Sequence, residues 1–152
     1  MGAFLVTPGE AAVEAGEALF LEFTWTHTHR WRDLKTLQLR IVDDGQPTLW
    51  VLWDQESNAF SLVDEQGEPS GHTALPGSHG KLKGKHATLH LDETSVLTSG
   101  PDGHDVTLTL ALSFEKKAAG HDHRDYVVEV SATDDFGNEQ GFDRAGTLRV
   151  ER

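Results

Sequence analysis

The sequence contains no cysteine. Without thiols the chain forms no disulfide, holds no thiolate-bound metal and runs no cysteine-nucleophile chemistry. It is also short of positive charge. Thirteen Lys and Arg stand against 25 Asp and Glu, for a formal net charge of −12. A field of that sign repels phosphate backbones and anionic lipid, so nucleic acid is not an expected partner. No apolar run approaches the roughly 20 residues of a membrane span, and no membrane insertion is expected. Residues Met1 to Thr7 lack the basic start and apolar stretch of a secretory signal. Sandwiches hold together by packing alone, so the missing disulfides do not argue against export. Two readings follow, a cytosolic protein or a module of a longer exported or cell-surface protein; the second is the expectation, with neighbouring domains among its partners.

Fifteen glycines and five prolines are spread along the 152 residues, where they supply turns rather than a linker. The length suits one domain, residues 1–152, with room for a real core. Period-two alternation recurs throughout, and no long stretch has helical periodicity. Leu19, Leu21, Phe23 and Trp25 share one face. Leu37, Leu39 and Ile41 do the same, ahead of an Asp43-Asp44-Gly45 turn. Leu49 to Trp53 and Phe60 to Val63 read as a hairpin. Glu65 to Gly84, rich in Gly and Pro, reads as the longest loop. Val106, Leu108, Leu110, Leu112 and Phe114 form the cleanest inward row, and Tyr126 to Thr133 and Gly146 to Val150 close the chain. About nine short strands without intervening helices predict an antiparallel β-sandwich. A short helical turn is expected only in Ala11 to Ala18.

The last third resembles the E, F and G strands of bacterial immunoglobulin-like and fibronectin-type-III-like repeats. The resemblance runs over Val106 to Phe114, Tyr126 to Asn138 and Gly146 to Val150, and centres on the Ala132-Thr133-Asp134-Asp135-Phe136-Gly137-Asn138 hairpin. It implies an immunoglobulin-like sandwich with Tyr126 as a tyrosine corner, its ring in the core and its hydroxyl on nearby backbone. It also implies that the loop after Thr26 and the Asp134 hairpin cluster at one end. The chain departs from the family in being longer than a typical domain and in having no cysteine pair.

Two histidine pairs at spacing two, His27/His29 and His121/His123, are candidate imidazole ligands, because residues i and i+2 of an extended strand point to the same side. The implied loop clustering brings His27, His29, Trp31 and Asp33 near Asp134, Asp135 and Asn138. That end is therefore the expected site for Ca²⁺ or Zn²⁺, held by His27, His29, Asp134 and Asp135, with Trp31 as a ligand-binding side chain. Exposed loop histidines and ordinary aspartate turn chemistry account for the same residues without a metal. Four tryptophans make a glycan-stacking platform a further reading, against plain core packing. No nucleophile elbow, phosphate-binding glycine loop or H-E-x-x-H helix appears, and an enzyme is not expected. The sequence predicts a non-catalytic structural or adhesive module, with a carbohydrate-binding module or a divalent-metal-binding sandwich as alternatives and a protein or glycan as ligand.

Overall fold

A computed structural model describes residues 1–152 as an all-β chain of two packed sheets. The strands are β1 (Gly2–Thr7), β2 (Glu10–Glu14), β3 (Leu19–His27), β4 (Leu34–Asp43), β5 (Gln46–Asp54) and β6 (Ala59–Leu62). They continue as β7 (Lys81–Lys83), β8 (Ala87–His90), β9 (Ser95–Thr98), β10 (Asp105–Phe114), β11 (His123–Asp134) and β12 (Glu139–Glu151). Twelve strands replace the nine expected, and the three additions are β1, β2 and β7. The helical turn expected in Ala11 to Ala18 is instead β2, whose Ala11 and Val13 face inward between exposed glutamates. β7, only three residues long, lies inside the stretch expected to be loop. The only helical segments are 3₁₀ turns at Trp31–Asp33, Leu91–Glu93 and Lys116–Ala119.

One sheet runs β1-β3-β10-β8-β7, with β9 also paired to β10; the other runs β2-β12-β11-β4-β5-β6. The chain changes sheet between Thr7 and Glu10. β1 lies antiparallel to β3, and β2 lies parallel to β12. All other pairings are antiparallel.

Each strand buries alternate residues because successive side chains point to opposite faces of a sheet. The inward rows are Leu21, Phe23 and Trp25 of β3, Leu37, Leu39 and Ile41 of β4, and Val106 to Phe114 of β10. Tyr126, Val128, Val130 and Ala132 of β11 complete the opposite wall. These belong to a single core of 32 buried residues shared by both sheets. The Tyr126 hydroxyl donates to the Ala118 carbonyl at 2.6 Å, which ties the Lys116–Ala119 turn to β11. Burial pushes the Tyr126 phenol above its ordinary pKa. No helix is long and apolar enough to cross a membrane.

Candidate functional site

The alternation that builds the core also sets the chemistry at one pole. In β3 the inward row Leu19, Leu21, Phe23, Trp25 continues to His27, and in β11 the row Tyr126, Val128, Val130, Ala132 continues to Asp134. β3 and β11 belong to opposite sheets, so these last inward positions face each other across the end of the core. His27 Nε2 and Asp134 Oδ2 are 3.1 Å apart, and each side chain is 1% exposed.

A buried ionisable pair is tolerable only if its remaining donors and acceptors are satisfied. Here they are. The Asp134 Oδ1 atom accepts the Phe136 N–H at 3.0 Å and the Asn138 N–H at 2.9 Å. Oδ2 accepts from Asn138 Nδ2 at 3.1 Å as well as from His27. Four donors fill the roughly four lone-pair positions of a carboxylate. His27 Nδ1 accepts the backbone N–H of His29 at 2.9 Å, which places the ring proton on Nε2, where it donates to Asp134. Burial alone would raise the Asp134 carboxyl. The hydrogen bonds from the Asn138 side chain and N–H, from His27 and from the Phe136 N–H outweigh it and hold the group below the usual carboxylate range.

Three loops are pinned around this pair. His27 exchanges contacts with His104: its N–H donates to the His104 carbonyl, and its carbonyl accepts from His104 Nδ1 at 3.1 Å. Trp31, half-buried against the core, donates its indole N–H to the Gly100 carbonyl at 2.6 Å and its backbone N–H to Gly103. The Asp135 N–H donates to the Asp33 carbonyl at 2.9 Å. The loop 28–33 is thereby fastened to the loop 99–104 on one side and to the hairpin 135–138 on the other.

Of the residues expected to hold a cation, the structure brings His27 and Asp134 into direct contact. His29 lies alongside, with its ring centroid 5.9 Å from that of His27, and is exposed. Asp135 follows the strand alternation outward and lines a different depression with Lys35, Asp54 and Glu56. No three His, Asp or Glu side chains anywhere in the chain converge as a metal-binding group. Both His27 nitrogens and all four Asp134 positions are occupied by protein donors and acceptors in this arrangement. Trp31 anchors a loop instead of standing free.

What the pole presents outward is Phe136, 62% exposed at the tip of the hairpin, with the His29 ring against its edge at 5.8 Å. At the same pole Arg30 and the almost fully exposed Asp102 lie 4.0 Å apart. Phe136 was not among the expected site residues; its signal was a large apolar side chain at the centre of a turn, where no core can cover it.

The four tryptophans form no coplanar pair. Trp25 and Trp53 are core residues. Trp50 is half-buried beneath the Arg40 guanidinium and meets Phe142 edge-on at 5.5 Å.

No family model matches this chain, and no curated protein matches its sequence. It is similar to a chain from a solved structure on T cell specificity and activation by the bacterial superantigen toxic shock syndrome toxin-1, at 14% identity and TM-score 0.46 over 99% of each chain. A likeness that loose carries no argument about fold or function.

Proposed function

We propose that this chain is an immunoglobulin-like, non-catalytic adhesive module of a larger bacterial exported or cell-surface protein, and that it meets its partner with the pole formed by residues 28–33, 99–104 and 135–138. The observation that carries this reading is the cross-tied loop triplet, which holds an exposed Phe136 over a rigid, fully hydrogen-bonded base. Loops held by a stiff scaffold are where sandwiches place recognition.

The immunoglobulin-like assignment draws support from strand order. Read as A, A′, B, C, C′, C″, D, E, F and G, the strands β1, β2, β3, β4, β5, β6, β8, β10, β11 and β12 give A-B-E-D in one sheet and A′-G-F-C-C′-C″ in the other, a variable-type arrangement. The Tyr126 hydroxyl on the upstream Ala118 carbonyl fits the tyrosine corner. A spacer role agrees with strands that start at one pole and finish at the other.

The test is adhesion of beads carrying the domain to panels of immobilised matrix proteins, glycans and intact cells. The wild type is expected to adhere to at least one surface. The His29→Ser/Phe136→Ser variant should lose that adhesion with stability unchanged within about 0.5 kcal/mol, since both side chains are exposed. Full adhesion by the variant removes the loop pole from the reading, and failure of the wild type on every surface removes the adhesive role.

A further inference from the structure

The second histidine pair, His121/His123, sits at the opposite pole, in the turn that leads into β11. Its surroundings are not those of a cation site. With Lys117, Gly120, Asp122, Arg124 and Arg152 the two histidines line an open depression of about 530 Å³ that contains no hydrophobic side chain. Three permanently cationic side chains face a single side-chain carboxylate there, in a chain whose net charge is −12. A divalent ion is repelled by such a lining.

The two guanidinium groups converge on one residue. Gly120 has φ of 60°, and the Nη2 of Arg124 lies 3.4 Å from where a Cβ would stand on it, so the missing side chain makes room for the guanidinium. Arg152 reaches the same residue from the end of β12: its Nη1 donates to the Gly120 carbonyl at 2.7 Å, and its backbone N–H donates to the Asp122 carbonyl at 2.9 Å. The charges are under-compensated. Arg124 meets Asp43 only at 3.5 Å, and the Asp122 carboxylate is taken by His123 Nδ1 at 3.1 Å. Neither Lys117 nor Arg152 has a carboxylate within 4.0 Å.

We propose that this depression binds a tetrahedral oxyanion, sulfate or phosphate, with Arg124, Arg152 and Lys117 as charged donors and the imidazoles of His121 and His123 as further hydrogen-bonding groups. The planar guanidinium fork matches two oxygens of such an ion, and a charge-assisted bond of this kind is about twice as strong as a neutral one. The overall negative field opposes approach at long range, so binding rests on these short contacts. The site is separate from the loop pole proposed for adhesion and does not depend on it.

Sodium sulfate and sodium phosphate are titrated into the ¹⁵N-labelled full chain, with sodium chloride at matched ionic strength as reference. The expected result is saturable shifts confined to the amides of residues 117–124 and 152. Arg124→Gln, Arg152→Gln and the exposed Lys117→Gln should each weaken binding about tenfold, the loss of roughly one charge-assisted bond. Lys35→Gln, at the other pole, should leave it unchanged. A sugar monosulfate that binds more tightly than inorganic sulfate identifies an ester as the ligand, and equal binding identifies the free ion. Shifts that chloride reproduces, or wild-type affinity in the Arg124→Gln/Arg152→Gln double variant, overturn the proposal.

Discussion

Asp134 holds three elements through two oxygen atoms: its own hairpin, β3 and, through His27, the backbone of His29. Replacing it with alanine strands the buried His27 and two backbone donors of the hairpin, the N–H groups of Phe136 and Asn138. The expected cost is about 3 kcal/mol at neutral pH, measured by urea unfolding. The pH dependence follows from the lowered carboxyl. As pH falls, the unfolded chain takes up the proton first. The stabilisation is therefore complete above about pH 4, the ordinary carboxylate value, and is lost as pH drops through the lower folded value. The gap between wild type and Asp134→Ala should shrink below that point; a gap as wide at pH 2.5 as at pH 7 contradicts the assignment. Tyr126→Phe removes one buried hydrogen bond to Ala118 and should cost about 1 kcal/mol by the same measurement. At this scale the site was half legible. The row Leu19 to Trp25, extended by one step, already points His27 inward, and the β11 row does the same for Asp134 while turning Asp135 out. Local spacing does not reveal that these two row ends meet, because the contact spans 107 residues; their proximity entered only through the loop clustering that the resemblance implied.

Among the elements, β10 is central in its sheet, with β3 on one side and β8 and β9 on the other. Its inward Leu110 is fully buried. Leu110→Ala should cost about 3 kcal/mol in calorimetric or denaturant unfolding, the usual range for a leucine cavity. β12 carries a different constraint. A Cβ on its Gly146 would stand 2.6 Å from the Gly9 carbonyl, where the chain passes from β1 to β2. Gly146→Ala should therefore push that crossing outward and lower stability by about 1–3 kcal/mol. An unchanged melting temperature would show that the crossing is free to move. Strands such as β4 and β10 were readable because their apolar rows alternate, over five residues from Leu37 to Ile41 in β4 and over nine from Val106 to Phe114 in β10. β1, β2 and β7 were not, for three different reasons. β1 is an edge strand with the exposed Leu5 breaking its pattern. β2 is an alanine–glutamate segment whose strand character comes from its parallel neighbour. β7 is too short to show any period.

The whole molecule is held by one core, to which both sheets contribute and no disulfide adds. Far-UV dichroism, near-UV dichroism and tryptophan fluorescence should accordingly report one coincident unfolding transition. Separate midpoints for the buried Trp25 and Trp53 environments and the backbone signal would indicate sheets that melt independently. The path of the two outermost segments adds a mechanical property. β1 begins beside His27, at the loop pole, and β12 ends at Glu151, at the far pole. Between them, residues 10–14 and 147–151 run side by side in the same direction. Tension applied through residues 1 and 152 thus drags these neighbours past each other lengthwise, straining their hydrogen bonds together instead of peeling them one at a time.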